Sequence, residues 1–449
     1  MIPQGSAHYP GTRLEFEMSG NEKSRRLLIL ASKLGYQTRS FAEAAEKLGV
    51  EVVFGTDRCH KLDDPWSDGA LPLHFQNPSE SAREIARELH DKPVNAILAL
   101  GDRPTSTAAF AAQALGIAGN PPEAVEACRN KLRQREILRA AGVPIPTFFS
   151  FGLGEDLATV LPRVKFPCVV KPLSLAASQG VIRANNSEEF TTAVRRIHAL
   201  LESPDIQVLR EPNLDRVLVE AYIPGQETAV EGLLDSGRLR VLAIFDKPDP
   251  LEGPYFEETI YVTPSRLPWT KLHAIAECAQ RTVDALGLTS GPLHAEFRVN
   301  DAGPWALEAA PRPIGGLCSR ALRFGPQRIS LEELLIRHEL QLGGSDLARE
   351  DGASGVMMVP VPHSGIFERL EGLEQAEKTS GVAEIRITAR LRDYVAAWPE
   401  GSSYLGFIFA RGSSPEEAES ALRAAHAKLH FIFSPRLPVE HPATGRISR

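Results

Sequence analysis

Two glutamates that the sequence places on facing strands carry the clearest chemical signal in this chain. Residues 293–312 read LHAEFRVNDAGPWALEAAPR, and the Asn-Asp-Ala-Gly-Pro stretch is typical of a turn between two strands. Because alternate residues of a strand share a face, Glu296 and Glu308 can project from adjacent strands on one side. Such oxygens are the ligands that magnesium prefers. The hairpin predicts a metal site, and the alternative is a surface hairpin with solvated side chains.

The residues around this hairpin could act on a bound anion. Arg312 could hold phosphate oxygens with its planar guanidinium group. Gly315 and Gly316 offer backbone amides to a developing negative charge. His294 shares the strand face of Glu296, and a single histidine at such a place is more often structural than catalytic. These four residues, Arg312, Gly315, Gly316 and His294, form the candidate catalytic group.

A lysine followed by a loop of small residues is a second signal. Lys171 ends the apolar segment VVKP and precedes LSLAASQG, which contains Ser174, Ser178 and Gly180. Small residues let backbone N–H groups approach an anion closely, and serine hydroxyls add further donors. The pattern predicts a phosphate-binding loop. A flexible hairpin loop without a ligand is equally compatible with it.

Two glutamates flank a Pro-Gly turn in the segment VLVEAYIPGQETAV. Glutamates beside turns are usually solvated, and this is one interpretation of Glu220 and Glu227. In the other, the strand edge pairs with a purine base and Glu227 accepts hydrogen bonds from the ribose hydroxyls. The residues alone leave both interpretations open.

The elements that must position these residues follow two patterns. Residues 25–116 alternate short apolar strands with amphipathic helices, which predicts a parallel α/β layer. From residue 119 onward, strands joined by turns and a long helix at 269–288 predict an α+β unit with antiparallel strands. The polar, glycine-rich stretch 341–355 marks a boundary before a third unit. The predicted segments are a mobile tail at 1–24, an α/β domain at 25–118, a central domain at 119–345 and a C-terminal α+β domain at 346–449.

Composition excludes several classes of protein. The 449 residues carry a net charge of -7 and no basic block, so neither a nucleic acid nor a membrane is an expected partner. No apolar run approaches the ~20 residues of a membrane-spanning helix. The five cysteines form no CxxC pair, which argues against a zinc ribbon and indicates the cytoplasm. Neither GxGxxG nor Gly-Lys occurs, so the dinucleotide fingerprint and the P-loop are missing.

Taken in order, these segments resemble the ATP-grasp superfamily over roughly residues 25 to 340. The resemblance rests on NKLRQREILRAAGVPIP, FPCVVKPLSLAASQGV, LVEAYIPGQE, and HAEFRV followed by LEAAPRPIGG. Within the superfamily the chain is most similar to the L-amino acid ligases, through HAEFRV, EAAPRPIGGLCSR and the additional C-terminal domain. The resemblance implies a Rossmann-like (pre-ATP-grasp) N-terminal layer, a two-lobed ATP-grasp domain and a small α+β C-terminal domain.

The same resemblance implies a role for each candidate residue. The residues that would bind ATP are Lys131, Lys171, Ser174, Ser178, Gly180, Glu220, Tyr222, Ile223, Glu227 and Lys247. Among them, the lysines and the loop would contact phosphates, Glu220 to Ile223 would meet adenine, and Glu227 would bind ribose. Glu296 and Glu308 would hold Mg²⁺, with Mn²⁺ as the alternative. One departure stands out, because Ala310 occupies the position where the family usually has a third, asparagine ligand.

The activity implied is that of an ATP-dependent carboxylate–amine ligase. It would form an amide through an acyl phosphate and release ADP and phosphate. Amino acids or similar small acids and amines are the expected substrates, and a homodimer is left open. Two alternatives remain at this point: an ATP-grasp ligase acting on a non-amino-acid carboxylate, and a degenerate nucleotide-binding module without catalysis.

Overall fold

The computed structural model describes residues 25–32, 35–57, 70–343, 348–435, 439–440 and 447–448. The tail predicted at 1–24 and Cys59 lie outside these described residues. The four described cysteines are buried and free. Among the described residues, no helix is long and apolar enough to cross a membrane.

The N-terminal domain is the parallel α/β layer that the sequence predicts. Its elements are β1 (Arg26–Ala31), α1 (Tyr36–Lys47), β2 (Glu51–Thr56), β3 (Leu71–Pro72), α2 (Pro78–Glu88), β4 (Ala96–Leu100) and α3 (Thr105–Leu115). The four strands are all parallel, in the order β3-β2-β1-β4. Every residue of β1 is buried, because this strand lies in the middle of a sheet covered by helices. The carboxyl end of β4 leads directly to Asp102.

Two helices and a small antiparallel lobe follow. The elements are α4 (Pro122–Arg129), α5 (Lys131–Ala140), β5 (Phe148–Gly152), α6 (Leu157–Val160), β6 (Cys168–Pro172), β7 (Ile182–Ala184), α7 (Ser187–Leu201), α8 (Pro204–Gln207) and β8 (Arg216–Ala221). The small lobe is the sheet β5-β8-β6-β7 with α7 packed against it. The side chain of Asn130 caps α5 by accepting from two backbone amides, so Lys131 is the first residue of that helix.

The large lobe contains the predicted hairpin. Its elements are β9 (Gln226–Asp235), β10 (Arg238–Lys247), β11 (Ile260–Thr263), α9 (Trp269–Leu286), β12 (Gly291–Asn300), β13 (Gly303–Ala310), β14 (Arg323–Phe324), β15 (Ile329–Ser330) and α10 (Leu331–Glu339). β12 and β13 pair antiparallel, and Glu296 lies directly opposite Glu308. The prediction that both carboxylates share one face is therefore confirmed. β13 ends at Ala310, so Arg312 lies beyond the strand that was expected to contain it.

The C-terminal region extends the sheet of the large lobe. Its elements are β16 (Ala353–Val359), β17 (Gly365–Glu371), α11 (Leu373–Glu377), β18 (Val382–Ile387), β19 (Tyr394–Val395), β20 (Gly406–Gly412), α12 (Pro415–His426), β21 (His430–Ser434), β22 (Val439–Glu440) and β23 (Ile447–Ser448). One eight-stranded sheet runs in the order β13-β12-β9-β10-β11-β16-β20-β18. β16 thus pairs with β11 across the boundary placed at 345/346, and that boundary stays a prediction.

Candidate nucleotide and metal site

One pocket between the two lobes brings most of the predicted residues together. The predicted residues that line it are Lys131, Lys171, Ser178, Glu220, Tyr222, Ile223, Glu227, Glu296 and Glu308. They come from helix α5, from the small-lobe strands β6 and β8 and the segments that follow them, and from the large-lobe strands β9, β12 and β13. Although β8 and β9 are neighbours in the chain, as are β12 and β13, helix α5 and the two lobes contribute from separate segments, so the fold itself assembles the site.

The predicted phosphate-binding loop follows β6 and has several residues in an unusual backbone conformation. Ala177, Ser178 and Gly180 have φ values of 55°, 54° and 72°, in the left-handed region. A side chain at Gly180 would meet Pro172 at 2.9 Å, so this position requires glycine. Ser174 lies apart from the pocket, since its hydroxyl donates to the carbonyl of Pro212 at 2.8 Å. The loop therefore offers Ser178 to the pocket, while Ser174 holds the loop to the small lobe.

Glu220 is the centre of a buried ion-pair group. Its carboxylate accepts from Arg135 Nε at 2.6 Å and from Lys171 Nζ at 2.6 Å. Burial alone would raise the pKa of Glu220, but the charges of Arg135 and Lys171 outweigh it and hold this pKa below its usual range. Burial lowers the pKa of Lys171 despite the adjacent Glu220. The carboxylate therefore positions the two cations, and its adenine contact stays a prediction.

The segment after β8 has a free backbone where a base could bind. The amide of Tyr222 donates to the carbonyl of Pro167 at 3.1 Å, whereas the amide and carbonyl of Ile223 have no partner among the described residues. Both residues line the pocket. A backbone donor and acceptor at one residue suit the edge of a purine, so Ile223 is the better candidate of the two.

Glu227 lies in a second buried ion-pair group, deeper in the large lobe. Its carboxylate accepts from Lys247 at 2.8 Å and from Arg298 at 2.9 Å. Lys247 also pairs with Glu258 and lies 3.5 Å from Glu296. The side chain of Lys247 is only 2% exposed, and its charge is directed to three carboxylates. Its predicted contact with the terminal phosphate stays untested.

The opposed pair Glu296 and Glu308 has the chemistry of a magnesium site. Both carboxylates line the pocket, and Glu308 is the more exposed of the two. Burial would raise the pKa of Glu296, but Lys247 and His294 outweigh it, so the pKa lies far below its usual range and the group is ionised. Ionised oxygens with open space beside them fit a hard cation. Glu227, Glu258 and Glu296 also cluster within 4.8 Å, and Lys247 contacts all three of them, which offsets part of their charge.

His294 is a buried partner of carboxylates in this structure. Its ring bonds to Glu231 on one side and to Glu296 at 3.2 Å on the other. Burial would lower the pKa of His294, but Glu231 outweighs this and raises the pKa to about 9. A doubly protonated ring cannot ligate a metal, so His294 orients Glu296. Ala310 lies directly opposite His294 in the strand pair. The catalytic role assigned to His294 stays a prediction.

Arg312 is held by a carboxylate from another domain. Its Nε donates to Asp102 at 2.9 Å, and Asp102 follows β4 of the N-terminal layer. Burial would lower the pKa of Arg312, but Asp102 and Glu308 raise it, so the group is always charged. Gly315 is exposed with nothing within 4 Å of an added side chain. At Gly316, φ is 64° and an added side chain would meet Phe407 at 2.9 Å.

A larger cleft opens beside the pocket, between all three domains. It has a volume of about 1190 Å³ and shares Lys131 and Glu308 with the nucleotide pocket. Asp102 and Arg320 line it, together with residues from the segment 386–404. Its size exceeds the usual range of small-ligand pockets, so two substrates could occupy it together.

Sequence reasoning missed four charged partners, Arg135, Glu231, Glu258 and Asp102. Arg135 lies four residues after Lys131 on a helix, a spacing that puts both on one face. Glu231 interrupts the apolar run TAVEGLL, and Asp102 follows a parallel strand at its carboxyl end. These signals could have been found. Glu258 lies in a loop and gave none.

Three family models match the chain along its length. The ATP-grasp N-terminal domain matches residues 42–119, the ATP-grasp domain matches residues 164–321, and the L-amino acid ligase C-terminal domain 2 matches residues 357–434. Their order is the order of the three domains described above.

Individual relatives agree with these matches. The crystal structure of the L-amino acid ligase from Bacillus licheniformis superposes with a TM-score of 0.78 at 28% identity, covering 92% of this chain and 100% of that one. An uncharacterized protein of Sinorhizobium fredii is 23% identical over 92% of this chain and 84% of its own length. The alanine–anticapsin ligase of Bacillus amyloliquefaciens is 27% identical over 62% of each chain. The chain thus spans slightly less than two thirds of that ligase.

Proposed function

Because the chain belongs to the ATP-grasp superfamily, we propose that it is an ATP-dependent carboxylate–amine ligase that joins amino acids or similar small acids. The observation that carries this proposal is the register of Glu296 opposite Glu308 in a pocket shared with Lys171. Carboxylates for a cation and cations for phosphates are what binding of a nucleoside triphosphate requires. The L-amino acid ligase domain at 357–434 supports amino acids as substrates.

Within this proposal, different pocket residues would bind the adenine, the ribose and the phosphates of ATP. The backbone of Ile223 would meet the adenine edge, and Glu227 would accept the ribose hydroxyls, because both face the pocket beside Tyr222. Lys131 and Lys171 would contact the phosphates under the loop that contains Ser178 and Gly180. Lys131 is well placed for this, since its Nζ lies 3.4 Å from Glu308 and is tied to the carbonyl of Leu175 at 2.8 Å.

The reaction needs no nucleophile from the protein. A carboxylate oxygen of the first substrate attacks the terminal phosphorus of ATP, the bond to the bridging oxygen breaks, and ADP leaves. The amine of the second substrate then attacks the acyl carbon, phosphate leaves with the bonding pair, and the amine proton passes to solvent or phosphate. Arg312 would hold the transferred phosphoryl group, because it is paired with Asp102, which lines the large cleft. Gly315 and Gly316 would supply amides to the developing oxyanion.

Glu296 and Glu308 would hold Mg²⁺, or Mn²⁺ in its place, and His294 would keep Glu296 oriented. A bound divalent cation would neutralise phosphate charge during transfer. Ala310 supplies no side-chain oxygen, so water would fill the position of a third side-chain ligand.

We also propose the cytoplasm as the compartment, because the described cysteines are free. A homodimer stays a prediction that light scattering tests.

The proposal is tested by ADP release in the presence of ATP, Mg²⁺ and pools of amino acids. We expect release to rise with a productive acid–amine pair and a dehydrated product of the two to appear by mass spectrometry. Single-acid pools and non-amino-acid carboxylates identify the substrate class. ATP binding with no release in any pool, measured by calorimetry alongside the assay, would contradict the ligase.

A further inference from the structure

A short segment of the C-terminal domain bonds to the phosphate loop. The indole Nε1 of Trp398 donates to the carbonyl of Ala177 at 3.2 Å. The amide of Gly180 donates to the carbonyl of Pro399 at 3.0 Å. The side chain of Gln179 donates to the carbonyl of Glu400 at 2.7 Å. Three consecutive residues of one domain thus hold the second half of a loop from another.

A charged contact extends the same attachment to the helix behind the loop. Glu400 accepts from two guanidinium nitrogens of Arg196 on α7, which also contacts the hydroxyl of Tyr255. Both charged side chains are about two-fifths exposed, so this pair adds little on its own. A planar two-point pair fixes geometry well. It therefore sets where the segment lies against the small lobe.

The two halves of the loop are held from different sides. The first half is attached through Ser174 to Pro212, next to Glu211. Glu211 in turn pairs with Arg103 at 2.6 Å and Arg129 at 2.8 Å, which anchors that side to the N-terminal layer and α4. The second half is hydrogen-bonded to residues 398–400. It also contains a turn in which the amide of Gln179 donates to the carbonyl of Ala176.

The second half is also the part that needs support. Ala177 and Ser178 have φ values of 55° and 54°, a left-handed conformation that is unfavourable for an L-residue. Such a conformation persists where the surroundings determine it. The contacts of Ala177 and Gly180 on both sides of Ser178 provide those surroundings.

We propose that residues 398–401 of the C-terminal domain form a latch that holds the phosphate loop closed over the nucleotide. Trp398 is buried and its ring packs on Tyr404 with centroids 5.0 Å apart. This packing fixes the orientation of the indole N–H donor. Gly401 allows the chain to turn, since a side chain there would meet the carbonyl of Ala396 at 2.1 Å. The latch lies at the rim of the large cleft, where Ser402 and Ala177 both contribute to the wall. The closed loop would also retain an acyl phosphate in the site, and this part of the proposal rests on the proposed function.

The latch is tested by hydrogen–deuterium exchange of loop 174–180 in the full chain without nucleotide. Trp398→Phe removes the indole donor and keeps a ring against Tyr404. We expect loop amides to exchange about 3- to 10-fold faster, the range for one lost hydrogen bond, with the melting temperature little changed. Trp269→Phe is the matched control, because Trp269 is exposed and stacks on His273, far in sequence from the loop. Loop exchange equal to that control overturns the latch.

A second set of variants probes Glu400 without touching the tryptophan. Glu400→Gln should speed loop exchange by a smaller factor, and the swap Arg196→Glu with Glu400→Arg should restore it. Glu374→Gln, in an exposed pair with Lys378, is the control. Failure of the swap to restore exchange would count against a role of this pair in the latch.

The catalytic readout is the share of ADP released without amide product. In Trp398→Phe this share and the KM for ATP should both rise about threefold or more, while kcat changes less, because a looser loop admits water. Faster exchange with no ADP release from any variant or the parent would leave the latch standing and contradict the ligase. Normal loop exchange in Trp398→Phe together with normal ligation would support the ligase and contradict the latch.

Discussion

The two sides of the nucleotide pocket hold opposite surplus charge. On the phosphate side, the cations Lys131, Lys171 and Arg135 surround the single carboxylate Glu220. On the carboxylate side, the five carboxylates Glu227, Glu231, Glu258, Glu296 and Glu308 outnumber the three cations among them, Lys247, Arg298 and His294, and Lys131 lies between the two sides at 3.4 Å from Glu308. Since buried charge is costly without a partner, each side is completed only by a ligand of opposite sign. A polyphosphate with a divalent cation matches both at once.

Removing one carboxylate should have the largest effect. Glu308 is the most exposed carboxylate of its side, so its charge is available to a metal. We expect Glu308→Gln to lower kcat about 1000-fold, equivalent to ~4 kcal/mol of lost charge stabilisation. The circular dichroism spectrum should not change. Glu374→Gln serves as the control, and near-normal ADP release from Glu308→Gln would end the metal assignment.

The phosphate side is broken by removing its buried arginine. Arg135 is 1% exposed, so Arg135→Met leaves Glu220 with Lys171 alone. The free energy of unfolding should fall by about 3 kcal/mol, as for other broken buried pairs. Urea denaturation measures this, and Arg135→Met with Glu220→Gln should recover part of the loss. An equally unstable double variant would mean that packing, and not charge, is what Arg135 contributes.

The next prediction concerns Glu227, which pairs with Lys247 and Arg298 within the protein and is proposed to bind the ribose as well. Glu227→Ala should raise the KM for ATP about 10- to 100-fold, equivalent to ~1.5–3 kcal/mol of charged hydrogen bonding, with a smaller change in kcat. Glu227→Gln keeps the side chain's shape but removes its charge, so its KM for ATP should lie between those of the parent and of Glu227→Ala. An unchanged KM would make Glu227 only a structural partner of Lys247 and Arg298.

The smallest effect concerns the missing amide ligand. Ala310→Asn adds an oxygen on the face of Glu308, next to His294. We expect the magnesium concentration for half-maximal rate to fall a few-fold, since only a water ligand is replaced. Ala302→Asn on the exposed hairpin turn is the control. A midpoint that rises or stays the same would show that His294 and Glu231 leave no room for the amide.

The comparison also shows what a single sequence reveals. Glu296, Glu308 and Lys171 were found because strand alternation and a small-residue loop place them by local rules. The pairing of Arg312 with Asp102 joins positions 210 residues apart in different domains, and no local period encodes that. Strands β17, β19 and β21, which form a separate three-stranded sheet, were likewise not predicted. Partners across domains are set by packing, which periodicity does not report.

The eight-stranded sheet makes the C-terminal domain structurally continuous with the large lobe. β12 and β13, which contain Glu296 and Glu308, and β20, which follows the latch in the chain, belong to one hydrogen-bonded sheet. Loss of the C-terminal domain would therefore break the pairing of β11 with β16 and leave β11 as an exposed edge strand. Cutting the chain at 345/346 should have two effects at once: an edge prone to aggregation, and a phosphate loop without its bonds to residues 398–400.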